Sequence, residues 1–296
     1  MKVLNYGSLN VDNTYRVPHM IAAGETMASF ELQAYPGGKG LNQSIAMAKA
    51  GLNVWHAGII GNDGKMLLET CERAGVHTDF IKALDVRGGH TVIQVDDNGQ
   101  NSIILYGGTN LMQTREYADE VLSHFAAGDY LVLQNEINLP DYIIDRAFER
   151  GMKVILNPSP YNERLDACDL QKISLFLVNE IEAAQMTGCS DPDAVLDALH
   201  ETYPGAAFVV TLGAEGAWYY DGKEKTFQAA FPVKAVDTTA AGDTFTGFFI
   251  KMMSEGSDMQ TALRTAAGAA SIAITRMGAA PSIPTMEEVK AFFEGN

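Results

Sequence analysis

The chain is short of cysteine, of basic residues and of long apolar runs, and each shortage closes off a class of function. Its three cysteines, Cys71, Cys168 and Cys189, lie far apart and form no C-x-x-C or Cys/His spacing. They predict reduced packing thiols, with no metal role. The six histidines are scattered in the same way. Only 21 lysines and arginines face 37 acidic residues, a formal charge of −16, which argues against nucleic acid or an anionic membrane as partner. No stretch approaches ~18 uninterrupted apolar residues, so no membrane span is expected. The N-terminus turns polar at Asn5, Gly7 and Asn10, which predicts no signal-peptide core. A soluble cytoplasmic protein is the expectation. The chain also lacks G-x-x-x-x-G-K-[ST], and no G-x-G-x-x-G follows its first strand, so neither a P-loop nor a dinucleotide-binding dehydrogenase is expected.

What is present is an alternation of short apolar runs with longer helical patterns. Val3–Tyr6, Val54–Ile60, Tyr130–Leu133, Val154–Leu156, Leu175–Val178 and Phe208–Thr211 read as buried strands. Helix-like stretches lie near 42–50, 64–74, 115–125, 140–150, 191–200 and 244–254. Such alternation predicts an α/β fold, a mostly parallel central sheet covered by helices on both faces. Ligands of these sheets bind beyond the carboxyl ends of strands, where Asn10, Asp12, Glu136, Asn157, Asn179 and Thr211 fall. Segments 13–36 and 88–107 break the pattern with period-two stretches, and Asn98-Gly99 is a hairpin signal. They predict a small second sheet, with an edge hairpin of the main sheet as the alternative. With no repeats or linkers, residues 1–296 are expected to form one domain.

Two glycine-containing turns carry the chemistry. In Asp237-Thr238-Thr239-Ala240-Ala241-Gly242-Asp243, small residues lead into an apolar helix. A helix N-terminus leaves backbone N–H groups unpaired, and small side chains let an anion reach them. Asp243 stands in that turn as a candidate base, and an anion hole beside a base suits phosphoryl transfer to a hydroxyl. The plainer alternative is that Asp243 only caps its helix. Far upstream, Gly37-Gly38-Lys39-Gly40-Leu41-Asn42-Gln43 opens another helix with an approachable backbone, a cation and an amide.

Together these segments resemble the paired signatures of the ribokinase-like (PfkB) family of carbohydrate kinases. Gly7-Ser8-Leu9-Asn10-Val11-Asp12, Pro18, Gly24-Glu25-Thr26, Gly107-Gly108-Thr109-Asn110, Glu136, Asn179 to Glu182, Thr211 to Gly216 and Thr275 to Ser282 also fall in family order, so the resemblance covers nearly the whole chain. It implies ATP- and Mg²⁺-dependent transfer of a γ-phosphoryl group to a sugar hydroxyl. D-Ribose, giving D-ribose 5-phosphate, is the first candidate; deoxyribose, a fructose-type ketose, a nucleoside and pseudouridine are the alternatives. A sugar-binding or regulatory protein on the same fold would have lost the base or the anion hole, and both are present.

The resemblance also assigns residues. Asp243 becomes the base, with Ala240, Ala241 and Gly242 as the anion hole. Asn10, Asp12, Gly38, Lys39, Asn42 and Glu136 become sugar ligands, matching hydroxyls that both donate and accept. Taken alone, Asn10 and Asp12 read equally well as turn residues. Asn179 and Glu182 are expected to place Mg²⁺, largely through water, although Glu182 would equally support the start of its helix. Asn179, Thr211, Gly213, Gly216, Gly242 and Ala267 become nucleotide ligands, while close helix packing would equally explain the small residues around Ala267. Asp237, Thr239, Ala273, Arg276, Gly278 and Ser282 become the site of a monovalent cation such as potassium. The second sheet becomes a lid over the sugar that pairs two subunits into a homodimer. Leu41 stands where the family has a small residue, and is expected to reshape the cleft.

Overall fold

Period-two alternation in fully apolar strands sorts their side chains onto two faces, and each face becomes a core. The computed structural model describes residues 1–189, 191 and 194–295. Thirteen strands are found among them: β1 Val3–Tyr6, β2 Asn10–Arg16, β3 Glu31–Gly37, β4 Val54–Ile60, β5 His77–Ala83, β6 Gly89–Val95, β7 Asn101–Tyr106, β8 Tyr130–Gln134, β9 Lys153–Asn157, β10 Ile173–Asn179, β11 Ala207–Thr211, β12 Gly216–Tyr220 and β13 Lys225–Ala229. The helices among the described residues are α1 Lys39–Lys49, α2 Lys65–Arg73, α3 Arg115–Leu122, α4 Pro140–Glu149, α5 Glu180–Thr187, α6 Val195–Thr202, α7 Ala241–Ser254, α8 Met259–Ala273 and α9 Met286–Glu294.

Nine strands form the main sheet in the order β13-β12-β11-β10-β9-β8-β1-β4-β5. From β11 to β5 every neighbouring pair is parallel, and β12 and β13 add an antiparallel hairpin at one edge. Val3, Val132, Ile155, Leu177 and Val209 point to one face, where Ile45, Phe248 and Leu263 from α1, α7 and α8 cover them. Leu4, Leu131, Leu156, Phe176 and Val210 point to the other, beneath Tyr117, Ile143, Ala183 and Leu196 of α3, α4, α5 and α6. Burying a side chain such as Phe248 contributes about 1.5–3 kcal/mol, and truncating it to alanine costs ~3–5 kcal/mol with the cavity included.

A separate four-stranded sheet has the order β3-β2-β6-β7, with β2 and β6 parallel and the other pairs antiparallel. This second sheet is the expected one, with its first strand beginning three residues earlier than the pattern suggested. Asn10 and Asp12 therefore lie on β2 of the lid rather than in a turn after β1. Asn98 and Gly99 do make the hairpin between β6 and β7. Gly99 takes φ 77°, and Asp96 clips the turn by accepting the N–H groups of Asn98 and Gln100, each at 2.9 Å. All six residues of β7 are exposed, including Ile103, Ile104, Leu105 and Tyr106.

Positions 192 and 193 of the helix expected over 191–200 lie outside the described residues; α6 begins only at Val195, with Asp191 and Ala194 before it, and runs on to Thr202. Sequence patterning does not reveal β5, β12 and β13, whose exposures alternate at the sheet edges and hairpin. Among the described residues no helix is long and apolar enough to cross a membrane.

Candidate active site

Three main-sheet strands end on polar residues, Asn157, Asn179 and Thr211. Beyond those ends lies a cleft of about 390 Å³, lined also by Lys39, Glu182, Gly213 and the turn Ala240 to Asp243. Its two walls are the N-termini of α1 and α7, which pack side by side on one face of the sheet.

The α7 turn is built for an anion. Ala240 adopts the left-handed conformation, φ 61° and ψ 12°, and so turns the chain sharply into the helix. The first strong helical bond runs from the N–H of Thr244 to the carbonyl of Ala240 at 2.8 Å. The N–H groups of Gly242 and Asp243 find no acceptor among the described residues, and that of Ala241 reaches Thr238 only at 3.3 Å. A side chain at Gly242 would meet nothing within 4 Å, and its φ is ordinary. Neither packing nor backbone geometry therefore demands glycine there, whereas access to the N–H groups does.

Asp243 is 7% exposed. Its two oxygens each accept one amide: Asn42 Nδ2 at 3.1 Å on Oδ2, and Gln43 Nε2 at 3.0 Å on Oδ1. A carboxylate held in this way keeps a lone pair on each oxygen for a further donor. Asn42 is 5% exposed, and its Oδ1 has no partner among the described residues. A buried acceptor left open beside a buried carboxylate is costly unless a ligand donor completes it.

Lys39 lines the cleft at the other wall, whereas Glu136, Asn10, Asp12, Gly38 and Asn42 are not among its lining residues. Glu136 accepts from the Ser8 hydroxyl and, at 3.1 Å, from the Lys39 N–H. Burial raises its pKa, against the pull of Lys39 and those two hydrogen bonds. Burial opposes the charge on Lys39, yet the carboxylates of Asp243, Glu136 and Glu182 outweigh it and hold the ammonium above its ordinary pKa. Burial pushes Asp12 up to about 6, with Glu136 adding to the shift and the 2.7 Å bond from Thr91 resisting it. Asn10 is 2% exposed, and its Oδ1 accepts from Asn110 at 2.7 Å. Close approach of α1 to the end of β1 requires Gly40, since a Cβ there would lie 2.4 Å from the backbone nitrogen of Ser8. Gly38, with φ 94°, supplies the turn before it.

Other expected residues are placed differently. Asn179 and Glu182 line the cleft but form a reciprocal capping box on α5. The Asn179 side chain accepts the Glu182 N–H at 2.8 Å, and Glu182 Oε2 accepts the Asn179 N–H at 3.0 Å. The structural alternative for Glu182 is thus present, with Oε1 left outside the cap. Gly213 is in the cleft wall, whereas Gly216 is not. Gly216 has φ 132°, and a Cβ would strike the Gln228 carbonyl at 2.1 Å, so its glycine serves the β12–β13 hairpin. Ala267 is packed within the core around α8 and does not line the cleft. Leu41 is fully buried in that same core, so its extra volume is taken up there and does not shape the cleft.

Asp237 joins two loops. It accepts Thr239 N–H at 2.9 Å, Thr239 Oγ1 at 2.6 Å and Gly278 N–H at 2.9 Å. Burial raises its pKa, but these donors prevail and lower it. Arg276 reaches the Ser282 carbonyl at 3.5 Å and pairs with Glu288 at 2.7 Å. The Ala273 carbonyl accepts the Arg276 N–H at 3.0 Å. The six residues expected around a cation thus fall into two hydrogen-bonded sets, Asp237 with Thr239 and Gly278, and Ala273 with Arg276 and Ser282. Sequence reasoning missed Gln43 and Ser8 as partners of the site, although both fall inside motifs it had singled out.

A nine-stranded, mostly parallel sheet with a separate lid, a helix N-terminus open to an anion and a buried carboxylate beside it describe an α/β phosphotransferase. The sequence profile of pfkB family carbohydrate kinases matches residues 1–286, and the chain belongs to that family. It is similar to the ribokinase of Haemophilus influenzae, 33% identical over 297 residues that cover 97% of each chain. Among solved structures it resembles a ribokinase from Thermotoga maritima, with a TM-score of 0.87, 34% identity and 99% of each chain covered. It also resembles an Arabidopsis thaliana ribokinase complexed with ribose and ATP, with a TM-score of 0.85 and 30% identity, covering 99% of this chain and 98% of that one.

Proposed function

We propose that this carbohydrate kinase phosphorylates D-ribose at the expense of ATP, giving D-ribose 5-phosphate. The observation that carries the reading is Asp243, a buried carboxylate held by two amides and preceded by a glycine that no packing contact requires. The acceptor hydroxyl donates to Asp243 and is aligned by it. Its oxygen attacks the γ-phosphorus, the bond to the ADP oxygen breaks, and the proton passes to the carboxylate late in the transfer. The N–H groups of Ala241, Gly242 and Asp243 face the charge that develops on the phosphoryl oxygens. Asn10, Asp12, Asn42 and Glu136 pair the remaining hydroxyls, and the open Oδ1 of Asn42 suits a hydroxyl donor.

Magnesium fits the cleft through Glu182 Oε1 and water, and when bound it would neutralise phosphate charge. Thr211 and Gly213 are positioned along the nucleotide path, whereas Gly216 and Ala267 are not assigned to it. A monovalent cation between the loops of Asp237 and Gly278 would stiffen the anion hole. The exposed strand β7 supports a homodimer through the lid of a one-domain, cytoplasmic enzyme. A relative named deoxyribokinase, 28% identical over the whole chain, makes deoxyribose the second candidate. A panel of ribose, deoxyribose, fructose, nucleosides and pseudouridine assayed with ATP and Mg²⁺ tests the reading. Ribose is expected to give the highest kcat/KM, and a higher value for any other acceptor would displace it.

A further inference from the structure

Gln43 is 0% exposed and points its amide at Asp243, yet it lies behind the carboxylate and does not line the cleft. Its carbonyl oxygen accepts from Gln134 Nε2 at 2.6 Å. The other hydrogen of that Gln134 nitrogen goes to Asn5 Oδ1 at 2.9 Å. Asn5 in turn donates to the Gly40 carbonyl at 2.6 Å and to Ser44 Oγ at 2.7 Å. Ser44 completes the series against His56 Nδ1 at 2.8 Å. Asn5, Gln43, Ser44, His56 and Gln134 are all fully buried.

The direction of every bond from Asn5 through Gln134 and Gln43 to Asp243 is fixed. Asn5 spends both amide hydrogens on Gly40 and Ser44, so its oxygen must accept. Gln134 must then donate to Asn5, and its second hydrogen requires Gln43 to present oxygen. Gln43 is left with only its NH₂ end to face Asp243. A flip of the Gln43 amide would set its oxygen against the carboxylate and its NH₂ against that of Gln134, so both bonds would be lost in a fully buried place. Asn5 belongs to β1, and Gln134 ends β8, neighbouring interior strands of the main sheet. The carboxylate of Asp243 is thereby referenced to the main sheet as well as to its own helix α7.

We propose that Gln43, locked by Gln134 and Asn5, is a positioning residue that fixes the carboxylate plane of Asp243 for proton acceptance. The proposal rests on the reading of Asp243 as the base. A donor on the carboxylate favours its ionised form and also restrains its rotation. Removing that donor should lower the rate without weakening either substrate, because the loss is felt where the hydroxyl is aligned for transfer.

The test uses Gln43→Met, Gln134→Met, the double variant and Asp243→Asn, with ATP, Mg²⁺ and the best acceptor from the sugar panel. Methionine keeps volume and is unbranched, and thermal melts report whether each variant is folded. Gln43→Met is expected to lower kcat about ten- to a hundred-fold, with both KM values within about threefold of wild type. The loss should fall on kcat alone, a split that simple loosening of the core, which would disturb the neighbouring Asn42 and with it sugar binding, would not produce. Gln134→Met should act in the same direction but less, and the double variant should be no worse than Gln43→Met alone. Wild-type kcat in Gln43→Met beside an inactive Asp243→Asn overturns the positioning role and leaves the base intact. Additive losses in a double variant, or a loss that falls on KM rather than on kcat, overturn the lock. High activity in Asp243→Asn overturns the base and the proposal with it. Should Gln43→Met fail to fold, the kcat and the two KM values of Gln134→Met decide the matter, and a wild-type kcat overturns the lock.

Discussion

Gly242 is a position where one added methyl group should raise stability and suppress turnover together. A Cβ at this residue meets no atom within 4 Å, and the backbone there is right-handed, so alanine enters without clash or strain. Alanine restricts the unfolded chain more than glycine does and favours helix by up to ~1 kcal/mol. For a chain of this size that corresponds to a rise of about 2 °C in Tm. The same methyl group occupies the space before the N–H groups of Gly242 and Asp243. A phosphoryl oxygen held off by even ~1 Å loses about a hundredfold in rate, and loss of one hole donor has a similar effect. Melting without ligands and ADP release under saturating substrates would measure the two effects on one preparation. A Gly242→Ala enzyme with raised Tm and kcat within about tenfold of wild type would show that no phosphoryl group passes this turn. Ala240→Gly is the matched control. It removes a left-handed alanine, worth ~1 kcal/mol, and leaves the hole open.

Asp243→Asn should lower kcat at least about a hundredfold while the KM for ATP stays within a few-fold, and steady-state kinetics with both substrates varied would check it. The KM for sugar should rise as pH falls through about 6, where Asp12 gains its proton, and Asp12→Asn should flatten that dependence. The folding linkage of Asp12 runs the other way: its contribution is fully present below the ordinary 3.8 and is lost as pH rises through about 6, which urea melts across that window would detect. Potassium should raise kcat over a bulky organic cation at constant ionic strength, and equal rates would leave Asp237 a structural tie between loops. Ile104→Glu, on exposed β7, should give monomers in sedimentation; an unchanged dimer would put the interface elsewhere.

The parallel core was legible because its strands are buried on both faces and carry continuous apolar runs. Val3–Tyr6 and Val54–Ile60 match their expected bounds to the residue. His77–Ala83 escaped notice because it is an edge strand of mixed exposure, His-Thr-Asp-Phe-Ile-Lys-Ala. The turn Ala240 to Asp243 was legible because small residues before an apolar helix have few other uses. Gly216 misled because glycines at positive φ in a hairpin look, in sequence, like glycines kept open for a phosphate. Leu41 misled because helical position within the first turn of α1 decides whether a side chain faces cleft or core. Gln43 was passed over for a related reason. Its partners lie 91 and 200 positions away, so nothing local distinguishes it from an ordinary helix glutamine.

The bond between α1 and α7 has a consequence for how the chain comes into being. Every residue proposed to touch sugar, apart from Asp243, is synthesised by position 136, and every residue proposed to touch phosphate, metal or cation comes from position 179 onward. The contacts of Asn42 and Gln43 with Asp243 span 201 and 200 positions and form the seam between those halves. A growing chain therefore contains every proposed sugar ligand except Asp243 before any residue proposed for phosphoryl transfer has been added, so a product cut short before α7 would lack the base and the anion hole alike. The same partition lets substitutions in the early half retune which hydroxyl is presented while the later half goes on handling the same nucleotide.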